Sequence, residues 1–198
     1  MGLWDKFVVL EGLDGSGTTT QLNRLASHCR NKATDCIRTF EPSDGFIGQA
    51  ARAVLEKREK VHPLTLAQLF AADRREHVQL MTEELEAGKW VFCDRYLFSS
   101  LAYQSLQLDF ETVLEMNREF PLPGYCLYLE CSVETSSNRR DKRESIDLFE
   151  KEAFQRKVIS LYEKAFTTLY PDGKDLYRIN GEDSADTVFH NIIEILGL

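Results

Sequence analysis

Gly12-Leu13-Asp14-Gly15-Ser16-Gly17-Thr18-Thr19 has the spacing of a phosphate-binding loop, except at the position where a lysine is expected. Glycines at 12, 15 and 17 allow a tight turn that points backbone N–H groups inward at a polyphosphate, and a following helix adds partial positive charge. Thr19 holds the hydroxyl position that ligates Mg²⁺. Thr18 stands where lysine would bridge the β- and γ-phosphates, so the loop lacks its mobile cation and that charge must be neutralised from elsewhere. Further along, Asp94-Arg95-Tyr96 places a carboxylate and a guanidinium side by side, and Arg139-Arg140-Asp141-Lys142-Arg143 packs four cations into five residues. A charge run of the second kind is usually a solvated face.

The elements that position these residues follow from hydrophobic periodicity. Lys6 to Glu11 reads as a buried strand, and Leu22, Leu25, Ala26 and Cys29 recur at helical spacing, so the glycine loop lies between strand and helix, the order that phosphate binding needs and an ordinary turn does not. Asp35 to Phe40 reads as a second strand, followed by a Glu41-Pro42-Ser43-Asp44-Gly45 loop and a helix from about Ile47. Leu64 to Ala87 forms a long helix stopped by Gly88, and Trp90 to Cys93 a short strand ending at Asp94. Helices are expected from Ser99 and over 109–120, a strand from Tyr125 to Cys131, and a long helix carrying Val158, Tyr162 and Leu169. A last strand, Leu176 to Asn180, precedes a helix opened by Asp183-Ser184. Alternation of strand and helix predicts an α/β fold, a parallel sheet of about five strands covered by helices on both faces. In such a fold ligands bind at the carboxyl ends of the strands, where the glycine loop, the Glu41-Pro42 loop and Asp94-Arg95-Tyr96 all fall.

The 198 residues suffice for one domain with a full core, and residues 1–198 read as one. No apolar run approaches a membrane span, and the N-terminus leads directly into the first strand, so a cytoplasmic protein without a membrane partner is expected. Five cysteines without C-x-x-C spacing read as reduced, buried thiols. The four histidines have no ligand spacing. A net charge of −8 argues against a nucleic-acid partner and for a small ligand.

Taken together, Leu69-Phe70-Ala71-Ala72-Asp73-Arg74, Asp94-Arg95-Tyr96, Ser99-Ser100 and Ala102-Tyr103-Gln104 resemble the signature set of thymidylate kinases, and the glycine loop and Glu41-Pro42 fit the same family. The resemblance runs from about residue 6 to 196. It implies a P-loop NTPase-type three-layer fold with a small lid near 137–147, transfer of the γ-phosphoryl of ATP to dTMP, Mg²⁺ as the metal, and a homodimer. It assigns ATP to Gly12, Gly15, Ser16, Gly17, Thr18, Thr19 and Thr20, and the metal to Thr19 and Asp94. For dTMP it implies Phe70 stacked on the base, Arg74 one turn further along contacting it, and Gln104 supporting it. Asp14 would receive the 3′-hydroxyl, Tyr103 would crowd C2′, and Ser99 and Ser100 would offer hydroxyls. Arg95 would hold the acceptor phosphate, with Asp94 near the metal and Arg139, Arg140 and Arg143 supplied from the lid.

The chain departs from the family pattern along the phosphate path. Thr18 replaces the loop lysine, Phe40 stands where a Thr-Arg-Glu-Pro motif has arginine, and Leu148 where an Asp-Arg-x-Glu motif has another; Asp147 and Glu150 keep the rest of that motif. Losing one charge-assisted phosphate contact costs about 1.5 to 3 kcal/mol, and losing a transition-state arginine about 10³ to 10⁵ in rate. Either lid arginines replace the missing charge, or the protein binds nucleotide without transferring phosphate; a kinase for another deoxynucleotide or a deoxynucleoside is the third reading. Retention of Asp14, Phe70, Arg74, Asp94, Arg95, Ser99 and Tyr103 favours the first.

Overall fold

A computed structural model describes residues 2–139 and 148–198. Most of the stretch expected to form the lid, with Arg140, Arg143 and Asp147, therefore lies outside the described residues. Five strands, β1 (Phe7–Gly12), β2 (Cys36–Phe40), β3 (Trp90–Asp94), β4 (Tyr125–Glu130) and β5 (Leu176–Asn180), form one sheet of order β2-β3-β1-β4-β5 in which every pairing is parallel. The helices among the described residues are α1 (Thr18–Asn31), α2 (Phe46–Leu55), α3 (Pro63–Glu86), α4 (Leu97–Tyr103), α5 (Phe110–Asn117), α6 (Val133–Arg139), α7 (Leu148–Leu169) and α8 (Ala185–Leu196). The architecture is the α/β P-loop NTPase type expected.

Successive side chains of a strand point to opposite faces, and the two faces of the sheet bury different helices. Phe7, Val9, Val91, Cys93, Cys126 and Tyr128 join one core with residues of α3, α4, α5 and α7. Val8, Leu10, Phe92, Leu127 and Leu129 join the other with Leu22, Leu25 and Cys29 of α1 and Val188 and Ile192 of α8. With apolar residues on both faces, the strands read as continuous apolar runs.

Local chemistry sets the helix ends. The His62 ring accepts from the Leu64 N–H, Pro63 takes the first helical position, and Gly88 stops the chain beyond α3 with φ 81°. Asp109 and Ser184 cap α5 and α8. Two boundaries differ from the sequence expectation. α4 begins at Leu97 rather than Ser99, because a carboxylate from β1 receives N–H groups of its first turn, and α7 extends further toward its N-terminus than its apolar spacing indicated. No described helix is long and apolar enough to cross a membrane.

Candidate active site

The central strand β1 delivers the glycine loop to the carboxyl edge of the sheet. Gly17 caps α1 with φ 102°, and the Gln21 N–H donates to its carbonyl at 3.0 Å. Gly12 is required for close approach: a Cβ there would lie 2.4 Å from Ser16 Oγ and 2.9 Å from the Leu129 carbonyl oxygen. Ser16 Oγ is buried with no partner among the described residues. Thr18 is buried at the start of α1, whereas Thr20 is exposed on the groove between α1 and α8. Thr19 Oγ1 donates to Asp94 Oδ2 at 2.5 Å, and Asp94 Oδ1 is buried with no partner among the described residues. A hydroxyl beside a carboxylate that has an uncommitted oxygen fits a hard cation such as Mg²⁺.

Arg95 follows β3 with φ 68°, a left-handed conformation that costs a non-glycine residue about 1 to 3 kcal/mol. Its own N–H donates to the Leu10 carbonyl at 2.9 Å, which fixes the turn and brings the side chain back over the loop. There Nη2 donates to Asp14 Oδ1 at 2.6 Å, and Nη1 to the Gly12 carbonyl at 3.1 Å.

Beside this arginine lies a cleft of about 180 Å³, which Phe70, Tyr103 and Leu55 line with apolar surface and Asp14, Arg74, Arg95, Ser99, Ser100 and Gln104 with polar groups. Every residue expected to bind the acceptor nucleotide thus faces one space. Tyr103 OH and Gln104 Oε1 are buried with no partner among the described residues, so both have hydrogen-bonding capacity left for a ligand. The two serines differ from expectation in that their hydroxyls already hold protein groups. Ser100 Oγ accepts from Arg74 at 3.0 Å, and Ser99 Oγ accepts from Arg95 at 3.2 Å.

Arg74 lines the cleft and is also anchored beneath it. Its Nε and Nη2 reach Glu41 Oε2 at 2.8 and 2.6 Å, Nη1 donates to Asn117 Oδ1, and the guanidinium lies 5.1 Å from the centre of the Tyr96 ring. Both side chains of the pair are almost fully buried, 1% and 2% exposed, and His77 Nδ1 lies 3.1 Å from the other Glu41 oxygen. The Glu41-Pro42 peptide bond is cis. Asp73 continues the clamp, accepting from Ser43 N–H at 2.7 Å and Ser43 Oγ at 2.5 Å. Phe40 packs under Arg52 of α2, whose Nη2 donates to the Pro42 carbonyl at 2.6 Å, so a guanidinium does stand on this loop although none stands at position 40.

Two residues of the site were not singled out from the sequence. Glu11, the last side chain of β1, is fully buried and accepts from the backbone of Tyr96 and Ser99 and from the hydroxyls of Ser99 and Tyr162. Burial raises its carboxyl from an ordinary 4.5 to about 7, against the opposing pull of Arg95 and of those hydrogen bonds. Tyr162 of α7 also lies 3.3 Å from Arg95 Nη1. A charged residue ending an apolar strand was the available signal for Glu11; Tyr162 matched only the helical apolar pattern. On the far side of the loop, Arg139 at the end of α6 donates to the Gly181 carbonyl at 2.7 Å, beyond the end of β5.

A model of the family described as thymidylate kinase matches residues 10–192. The chain is 38% identical to the thymidylate kinase of Desulfotalea psychrophila, over 95% of this chain and 92% of that one. It is 42% identical to a protein named "Probable thymidylate kinase" from Methanocaldococcus jannaschii, over 79% of each chain. A protein of the same name from Pyrococcus abyssi is 37% identical over 97% of this chain and 98% of its own.

Proposed function

The chain belongs to the thymidylate kinase family, and on that premise we propose that it transfers the γ-phosphoryl of ATP to dTMP, giving dTDP. Membership makes it a nucleoside monophosphate kinase, a phosphotransferase. The observation that carries the choice of acceptor is the convergence of Phe70, Arg74, Arg95, Tyr103 and Gln104 on one cleft beside the phosphate loop.

The chemistry needs no nucleophilic side chain, because the acceptor phosphate attacks in line and the protein supplies position and charge. ATP phosphates rest on the N–H groups of residues 12–20 and the N-terminus of α1. Thr19 and Asp94 would hold Mg²⁺, which when bound neutralises charge on the phosphate oxygens. Phe70 offers a flat face to the base, and Tyr103 closes the space at the sugar against a 2′-hydroxyl. Arg95, held between Asp14 and Gly12, reaches from the cleft to the loop and is suited to the acceptor phosphate. Asp14, 51% exposed, retains oxygen capacity for the sugar hydroxyl.

With threonine at position 18, lid cations supply the missing charge in this reading. Arg139 is engaged with Gly181, and Arg140 and Arg143 lie outside the described residues. Alanine at 139, 140 and 143 in turn lowers turnover about tenfold or more at one position at least; three near-neutral results overturn lid supply. Transfer itself is tested with γ-labelled ATP: label appears in dTDP, and its absence with both nucleotides bound would mark a protein that binds without catalysing.

Dimerisation is also proposed. Leu97, Phe98, Leu101 and Ala102 of α4 are buried in the chain's own core, so α4 offers no free apolar face. Phe46 on α2 and Leu80 on α3 are 89% and 60% exposed and support a contact there. The nucleotide substrates and free thiols agree with a cytoplasmic enzyme.

A further inference from the structure

We propose that Glu11 is a positioning residue for the acceptor phosphate: through the hydroxyls of Ser99 and Tyr162, its ionised carboxylate fixes the Arg95 guanidinium in the orientation that meets the phosphate. The inference rests on the reading of Arg95 as the phosphate ligand.

Glu11 Oε1 accepts from Tyr96 N–H at 2.8 Å and Ser99 N–H at 3.3 Å, while Oε2 accepts from Ser99 Oγ at 2.6 Å and Tyr162 OH at 2.9 Å. A hydroxyl owns a single proton. With both protons directed at Oε2, the lone pairs of Ser99 and Tyr162 face Arg95 Nη1, 3.2 and 3.3 Å away. Burial, then the Glu11 carboxylate, hold the Tyr162 phenol well above its ordinary value, so it remains a donor. Two backbone donors occupy Oε1, so a proton added to Glu11 resides on Oε2, and one hydroxyl must redirect its own. The alternative acceptors for Tyr162 are Ser99 Oγ at 2.9 Å and the Gly12 carbonyl at 3.3 Å, oxygens that also take Arg95 Nη1 at 3.2 and 3.1 Å. Neutral Glu11 thus sets a hydroxyl in competition with the guanidinium at an oxygen that holds it, either Ser99 Oγ or the Gly12 carbonyl.

The groups whose charge is linked to that of Glu11 are Arg95 after β3, Cys93 of β3, Cys126 and Tyr128 of β4, Tyr103 of α4, Tyr162 of α7 and Tyr170 beyond it. Of the cysteines and tyrosines in that set, each is pushed above its ordinary value chiefly by burial, so all stay neutral near pH 7. Glu11, at about 7, is the group that changes charge there.

The test is dTMP affinity by isothermal titration calorimetry, without ATP, for the unmodified protein, E11Q, Y162F and R95A between about pH 6 and pH 8. Glutamine imitates the neutral acid, since its amide N–H takes the place of the carboxyl proton. At about pH 8, E11Q binds dTMP about tenfold more weakly, the size of one charge-assisted hydrogen bond, and the ratio to unmodified protein closes toward one at about pH 6 as Glu11 takes up its own proton. Ionisation of dTMP is common to both proteins and cancels. Y162F weakens binding about threefold at the higher pH and less at the lower, and decides the matter if E11Q does not fold. Ratios near one, or ratios flat with pH, overturn the inference when R95A weakens dTMP binding. Undiminished binding by R95A instead overturns the reading of Arg95 on which it rests.

Discussion

The burial of Glu11 has a consequence for stability that is separate from catalysis. In the unfolded chain its carboxyl ionises at about 4.5, whereas in the folded chain it stays protonated up to about 7. Between those values the folded state holds one more proton than the unfolded state, so the unfolding free energy falls as pH rises and levels off above about pH 7. At about 1.4 kcal/mol per pH unit, the shift from 4.5 to about 7 is worth about 3 kcal/mol, a large part of the roughly 5 to 15 kcal/mol that stabilises a domain. Glutamine at position 11 does not titrate. Urea unfolding of the unmodified protein and Glu11→Gln at several values from about pH 5 to pH 8 isolates the effect, because other titrating groups cancel in the difference. That difference should move by about 3 kcal/mol in favour of glutamine, mostly between about pH 5 and pH 7.5, whatever its offset at the acid end. A difference constant to within about 0.5 kcal/mol would refute the assignment of Glu11 as a carboxyl held neutral by burial.

Removing Glu41 leaves the Arg74 guanidinium, 1% exposed, without its carboxylate; Glu41→Ala is expected to cost about 3 to 5 kcal/mol in urea unfolding, and a cost below about 1 kcal/mol would contradict the buried pair. Alanine at Gly12 drives a Cβ to 2.9 Å from the Leu129 carbonyl oxygen, backbone that cannot rotate away, so the loop must shift. Gly12→Ala should weaken binding of an ATP analogue about tenfold or more in calorimetry, and unchanged affinity would mean that the loop does not cradle the phosphates as described.

The sheet was legible because its signal is local. Val8, Leu10, Phe92 and Leu127 face one core and Phe7, Val9, Val91 and Cys126 the other, so the apolar runs alternating with helices predict parallel, doubly covered strands. The cleft was legible in its residues but not in its wiring. Phe70 and Arg74, four apart on a helix, were expected on one face and do share the cleft, yet the anchoring of Arg74 by Asn117 comes from 43 residues away. Ser99 was expected to present its hydroxyl to a ligand; that hydroxyl is directed at Glu11, 88 residues earlier. Tyr162 meets Glu11 across 151 residues, and periodicity can mark it only as a core position, because apolar spacing does not distinguish a buried ring from a buried ring with a working hydroxyl. The short helix Val133–Arg139 has too few turns to show a period, and its closing contact, Arg139 on Gly181, is set by the end of β5.

Turnover with MgATP and each of dTMP, dUMP, dCMP, dGMP and thymidine, followed by coupled ADP release on the unmodified protein, tests the central claim most directly. The account predicts ADP release with dTMP at a kcat/KM about tenfold or more above that of every other acceptor, since the proposed acceptor site sets a base over Phe70, a sugar against Tyr103 and a phosphate at Arg95, residues that line one cleft. Equal turnover with dCMP or dGMP, or no turnover with any acceptor while ATP and dTMP both bind, would contradict it.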